Sequence, residues 1–117
     1  MWIFTKKGFF SIVQDKDDEN YLIVRARVKG DLEALMGNNA ALLNGYPIEE
    51  DAGSDYRYRV RMERDVAEYF LLFAMKDIDY TNYKAAVYSV DPRRSEYYGM
   101  VWAMMADMQD AFLSREK

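Results

Sequence analysis

Residues 54–64 have the sequence SDYRYRVRMER, in which three of the four arginines alternate strictly with large apolar side chains. Successive side chains of a β-strand point to opposite faces of a sheet, so this alternation predicts a strand over residues 56–62. The face assigned to the core carries Tyr56, Tyr58, Val60 and Met62. The opposite face carries Arg57, Arg59 and Arg61.

A second stretch, YLIVRARV at residues 21–28, has the same alternation and adds Arg25 and Arg27 to the polar side of the predicted sheet. If both strands turn their apolar sides toward helices, five arginines share the open face. The chain of 117 residues has a net charge of −4, and without these five arginines it would be −9. The sequence therefore predicts a basic sheet face on an acidic body.

Aromatic residues decide whether such a face could stack the bases of single-stranded RNA. The alternation assigns Tyr56 and Tyr58 to the core side, which leaves Tyr21 and one of Phe9 or Phe10 beside the arginines. This favours phosphate contacts over an aromatic stacking platform. The predicted binding residues are Arg25, Arg27, Arg57, Arg59, Arg61 and Tyr21.

The N-terminal half predicts a β-hairpin followed by a short helix. FFSIVQ at residues 9–14 is rich in β-formers, and the polar turn DKDDEN separates it from residues 21–28. Asp31 is a plausible N-cap for a helix ending at Met36, and AALLNG at residues 40–45 predicts a further helical turn.

The C-terminal half predicts helices. Asp65 and Glu68 resemble a capping box for a helix to about residue 75, whose apolar second half we expect to be deeply buried. A short helix is expected over residues 83–88. Asp91 followed by Pro92 predicts the start of a last helix over residues 92–115, about 36 Å long. We predict a single α+β domain of residues 1–117: a small antiparallel sheet of three to four strands, helices packed on one face, and a long C-terminal helix.

The predicted last helix has two apolar stripes, which is more than one packing face needs. The first stripe is Tyr98, Val101, Met105, Met108 and Phe112. The second is Tyr97, Met100 and Met104. One stripe suits the core, and we assign the second to a partner protein or to a homodimer.

Composition narrows the function classes. The chain has no cysteine and no histidine, which removes thiolate chemistry, the commonest general base and the commonest metal ligand. We expect no enzyme activity, no cofactor and no bound metal. The longest apolar runs are far shorter than a membrane span, and MWIFTKKGFF at the N-terminus is not a signal peptide, so a cytoplasmic protein is expected.

Three segments, MWIFTKKGFFSIVQ, DYRYRV and DIDYTNYKAAV, resemble a family of small bacterial and phage-associated proteins without a characterised function. The residues that carry the resemblance are Met1, Trp2, Gly8, Phe9, Phe10, Ser11, Ile78, Asp79, Tyr80, Asn82, Tyr83, Lys84 and Trp102. The resemblance covers nearly the whole chain. It implies a bacterial or mobile-element origin and no mechanism.

Three functions remain open at this point. The first is a non-catalytic interaction protein that binds a partner protein, and one concrete form is a phage or mobile-element inhibitor of a host system, such as an anti-CRISPR protein. The second is a nucleic-acid or phosphate binder that uses the arginine-lined face. The weakest is a metal-dependent enzyme whose carboxylates come from Asp65, Glu68, Asp77 and Asp79.

Overall fold

The computed structural model describes residues 1–37 and 45–116, and it divides the chain into two compact units, Met1–Asp79 and Tyr80–Lys117. The first unit contains an antiparallel sheet with the strand order β1-β2-β3-β5-β4. The strands are β1 Trp2–Thr5, β2 Gly8–Gln14, β3 Tyr21–Ala26, β4 Glu49–Glu50 and β5 Tyr58–Glu63. The predicted α+β class is confirmed. The sheet has five strands instead of three to four, because the two-residue β4 pairs with β5 and forms one edge of the sheet.

The alternation in β3 and β5 sets the two faces of the sheet as predicted. Val24 lies opposite Val60, and the buried Ala26 and Met62 lie on the same face. Arg25 lies opposite Arg59 on the other face, which no helix of the first unit covers. The period of two in the sequence is thus sufficient to orient both strands.

Two helices, α1 Lys29–Met36 and α2 Arg64–Lys76, cover the apolar face. The buried core consists of Phe10, Ile12, Val24, Ala26, Leu32, Met36, Val60, Met62, Ala67 and Phe70. Tyr58 packs against this core, as the alternation predicts.

Asp31 is not the N-cap of α1, so that prediction is wrong. The helix begins at Lys29, and Val28 occupies the capping position without a side-chain hydrogen bond. Asp31 is buried in the first turn, where Oδ2 accepts a hydrogen bond from the Phe9 backbone N–H at 3.1 Å. The carboxylate joins the helix to β2 because a buried N–H without an acceptor is costly.

The predicted burial of α2 is also wrong. Ala67 and Phe70 are buried on the side that meets the sheet, while Leu72, Phe73 and Met75 are exposed. A helix lying on a sheet presents only one stripe to the core, whatever the composition of its other sides. The capping pair does not form either: α2 begins at Arg64, and the capping residue Glu63 makes no side-chain hydrogen bond. Asp65 lies inside the first turn, where its Oδ1 accepts a hydrogen bond from the Val66 N–H at 3.0 Å.

The second unit is a helical hairpin of α3 Tyr83–Val90 and α4 Pro92–Glu116. Asp91 caps α4 as predicted, and its Oδ1 accepts hydrogen bonds from the N–H groups of Arg93 (3.0 Å) and Arg94 (3.4 Å). Val87 of α3 is fully buried. No helix among the described residues combines the length and apolar character that crossing a bilayer requires. The helical turn predicted for residues 40–45 lies outside the described residues except for Gly45, and the single-domain assignment stays a prediction.

Candidate functional site: the open face of the sheet

The open face is defined by the strand register, because residues paired across neighbouring strands share a face. One row crosses the sheet from Trp2 through Ser11 and Arg25 to Arg59. A second row contains Val13, Ile23 and Arg61, and a shorter pair is formed by Phe4 and Phe9. The face therefore carries aromatic residues at the β1 edge and arginines on β3 and β5.

Tyr56 lies on this open face and not on the core side, so its predicted orientation is wrong. Its side chain is 4% exposed, and the Arg25 and Arg27 Cζ atoms lie 4.7 Å and 4.5 Å from its ring centroid. The Phe9 ring is 6.4 Å away. Because β5 begins only at Tyr58, Tyr56 belongs to the preceding bend and does not follow the strand alternation.

Three guanidinium groups converge on this bend, and we call Arg25, Arg27 and Arg59 the arginine cluster. Arg27 Nη1 donates to the Asp55 carbonyl at 2.8 Å. Arg59 Nη2 donates to Ser54 Oγ at 2.6 Å and to the Tyr56 carbonyl at 3.2 Å. Each guanidinium has five N–H donors, so these contacts orient the groups and leave donors unused.

Arg25 completes the cluster from β3. Its Nη2 donates to Ser11 Oγ at 2.7 Å, and the Ser11 side chain is itself buried. The ion pairs found among residues 1–37 and 45–116 include none of the three cluster arginines. Glu49 lies opposite Arg59 in the register but does not approach within ion-pair distance. Arg59 Nε is buried without an acceptor in the described part of the chain.

The two remaining predicted arginines have carboxylate partners. Arg57 lies one residue before β5, and its Nε contacts Glu50 Oε1 at 2.9 Å. Arg61 Nε contacts Asp15 Oδ2 at 2.6 Å, and Arg61 Cζ lies 3.7 Å from the Tyr21 ring centroid. These pairs neutralise both charges, so the positive charge predicted for five residues is concentrated on three.

Tyr21, on the open face, belongs to a hydrogen-bonded group with Tyr46 and Glu63. Its hydroxyl donates to Glu63 Oε1 at 3.5 Å, and the Tyr46 hydroxyl donates to Glu63 Oε2 at 2.6 Å. The Tyr46 hydroxyl lowers the pKa of Glu63, and the carboxylate in turn raises the pKa of Tyr46 to about 12. Tyr21 is therefore held in place on both sides, by Arg61 over its ring and by Glu63 at its hydroxyl.

Acid should weaken the Asp15–Arg61 pair. The hydrogen bond from Arg61 lowers the pKa of Asp15 below its ordinary value of 3.8. A carboxyl whose pKa is lower in the folded state stabilises the fold above its unfolded pKa, about 3.9, and this stabilisation is lost as the pH falls through the folded pKa. We expect the difference in free energy of unfolding between the native protein and Asp15→Asn to narrow as the pH falls below about 4.

Urea denaturation between pH 2 and pH 7 measures this difference. Asp17→Asn, an exposed change in the same turn, is the control and should show no such narrowing. A difference between native protein and Asp15→Asn that is constant over the whole range would contradict the assignment.

The sequence left the aromatic part of the face unidentified. Phe9 faces outward and Phe10 is buried in the core, which resolves the choice between them. The rings of Phe4 and Phe9 are stacked with their centroids 4.5 Å apart, and the Trp2 ring lies nearly perpendicular to the Phe9 ring with their centroids 5.9 Å apart. Trp2 is 67% exposed. The sequence did place Trp2 and Phe4 on the same side of a possible strand, with Ile3 on the other side. A strand of four residues is too short to show which side faces the core unless its pairing register is known.

The acidic residues considered for metal binding do not form a site. Asp77 and Asp79 contact Lys6 Nζ at 3.7 Å and 3.1 Å, and Lys7 also contacts Asp77 at 3.4 Å. Among the described residues, no group of three or more acidic side chains could hold a metal ion. The metal-dependent enzyme therefore receives no support.

The second unit presents the predicted partner stripe to solvent. Tyr97, Met100 and Met104 are all exposed, and within the first stripe Met105, Met108 and Phe112 are exposed as well. Within the second unit, α3 covers part of the first stripe, as the stacked rings of Tyr83 and Tyr98 show. Eight residues of α3 span about 12 Å, so most of the 25-residue α4 extends beyond it.

Comparison of the chain with protein-family models, with curated proteins and with solved structures yields no match.

Proposed function

We propose that this protein is a non-catalytic nucleic-acid-binding module whose arginine cluster contacts phosphate groups. The observation that carries the proposal is the convergence of Arg25, Arg27 and Arg59 on one bend without a carboxylate partner among the described residues. Arginine guanidinium groups match the geometry of phosphate oxygens and can bind them through two parallel hydrogen bonds.

The cluster is preorganised for an anion. The Tyr56 ring holds two of the guanidinium groups, and Ser11 and Ser54 hydroxyls orient Arg25 and Arg59. Little side-chain entropy is then lost on binding, because the long side chains are already ordered. The chain has a net charge of −4, so attraction comes from this local patch and we expect modest, strongly salt-dependent affinity.

The cluster variant Arg25→Gln/Arg27→Gln/Arg59→Gln should bind a labelled 12-nucleotide single strand roughly 100-fold more weakly, since three solvent-accessible ion contacts of about 1 kcal/mol each are lost. Fluorescence anisotropy at several salt concentrations measures the effect. Each phosphate contact contributes about 0.7 to the salt slope for single strands, so the slope should fall by about 2.

Two further variants test whether weaker binding comes from the lost phosphate contacts and not from the lower net charge or from unfolding. Lys16→Gln/Lys29→Gln/Lys76→Gln removes the same charge from three exposed residues of the first unit that are not part of the cluster, and it should keep the slope. Arg27 is exposed, so Arg27→Gln alone should remain folded and lower the slope by about 0.7. Native protein that binds no oligonucleotide at low salt would refute the proposed function.

A partner protein that binds α4 is the second candidate function, and the exposed apolar stripe of Tyr97, Met100 and Met104 favours it. Exposed contiguous apolar residues commonly mark interaction surfaces. An inhibitor of a host system, of which an anti-CRISPR protein is one form, belongs to this class, and a homodimer would use the same stripe. Met100→Lys/Met104→Lys should abolish recovery of a stoichiometric partner from a bacterial lysate, or dissociate a dimer in sedimentation velocity.

A further inference from the structure

We infer that the nucleic acid taken by the open face is single-stranded, and that a base stacks on Trp2, the exposed ring of an aromatic ledge formed by Trp2, Phe4 and Phe9. This inference rests on the proposed function and specifies its ligand. The ledge lies on the same face of the sheet as the arginine cluster, at the β1 edge. It reverses the expectation, derived from the alternation alone, that the face lacks a stacking platform.

The position of the ledge relative to the arginines supports one continuous strand. Trp2, Ser11, Arg25 and Arg59 occupy one row across four adjacent strands. Neighbouring strands lie about 4.8 Å apart, so this row is about 14 Å long, with an indole at one end and guanidinium groups at the other. A short stretch of single strand can therefore place a base on Trp2 and a phosphate on the cluster together.

The rings are held in a way that leaves Trp2 available. Phe4 and Phe9 stack on each other with an interplanar angle of 18°, and both are half-buried. Trp2 meets Phe9 at 88°, so its own faces are not stacked on that ring, and it remains 67% exposed. An exposed indole that is not stacked in parallel on its neighbouring ring is a suitable surface for a base.

Stacking distinguishes a single strand from a duplex. In a duplex the base faces are already stacked on neighbouring base pairs, and only phosphates and groove edges can be contacted. Aromatic rings on an open sheet bind unpaired bases with little sequence preference, because every base has a π-face. We therefore expect the same face to bind unpaired RNA and DNA and to discriminate against a duplex of equal length.

Trp2 itself can report the contact. The chain has two tryptophans, and Trp102 lies in α4 beside Lys84, so Trp102→Phe leaves Trp2 as the single indole. In this background the probes are a 12-nucleotide single strand, the same sequence as a duplex, and an abasic strand with the same number of phosphates. The single strand should quench Trp2 fluorescence and bind roughly 10-fold or more tightly than the abasic strand.

Variants of Trp2 provide a second measurement. Trp2→Ala should reduce the affinity for the single strand roughly 10-fold and leave the affinity for the abasic strand unchanged. Trp2→Phe keeps a ring and should retain most of the affinity. Because Trp2 is exposed, neither change should unfold the protein, which circular dichroism can verify.

The outcomes separate this inference from the proposed function. Equal affinity for the single strand and the abasic strand, without quenching, would overturn the stacking ledge and leave phosphate binding intact. A duplex bound as tightly as the single strand would also overturn the stacking ledge and leave phosphate binding intact. Failure of all three probes to bind at low salt would overturn both.

Discussion

Gly8→Ala is expected to lower the free energy of unfolding by about 1–3 kcal/mol, although alanine normally suits a β-strand better than glycine. A Cβ at this position would lie 2.9 Å from Asp31 Cβ and 3.0 Å from the Phe10 ring atom Cζ. Both neighbours are buried, and Asp31 accepts the hydrogen bond from the Phe9 N–H. To relieve the contact, either β2 moves away from α1 or this hydrogen bond is lengthened.

Urea denaturation measures this loss, and Gly30→Ala is the matched control. Gly30 lies in the first turn of α1, and nothing surrounds the position of its Cβ within 4 Å. Alanine there should leave the stability unchanged or raise it by up to about 1 kcal/mol. Equal stability of the Gly8→Ala and Gly30→Ala proteins would show that the close approach of Asp31 is not a constraint.

Tyr56→Ala should cost about 3–5 kcal/mol, the usual range for truncating a buried large aromatic side chain. The ring is 4% exposed and contacts Phe9, and the guanidinium groups of Arg25 and Arg27 lie over it. Its removal leaves a cavity on the open face and releases both arginines. Under conditions in which the variant is still folded, it should therefore also bind nucleic acid more weakly than the native protein.

Tyr56→Phe is the informative partner of that variant. It keeps the ring and the backbone hydrogen bond from the Tyr56 N–H to Asp55 Oδ1 at 2.8 Å. We expect its free energy of unfolding to stay within about 1 kcal/mol of the native value, with unchanged oligonucleotide affinity. If urea denaturation gave Tyr56→Ala and Tyr56→Phe the same free energy of unfolding, the Tyr56 ring would not be what supports the arginine cluster.

Features that depend on local geometry could be predicted from the sequence. The period of two in residues 21–28 and 56–62 identified which face of β3 and β5 is apolar, because backbone geometry alone alternates the side chains. Asp91 followed by Pro92 located the start of α4, since capping depends on residues that are neighbours in the chain. The α+β class follows from these elements because each apolar surface needs a covering layer.

The composition of the candidate site depended on contacts between residues distant in sequence, and only the tertiary structure decided it. Tyr56 does not follow the alternation because the strand begins two residues later. Arg61 is paired with the carboxylate of Asp15, which is 46 residues away in the sequence. Phe9 joins Trp2 and Phe4 on the open face through a pairing register that a shift of one residue would reverse. Period and capping are local properties of a chain, whereas charge pairing and ring placement depend on which strands become neighbours.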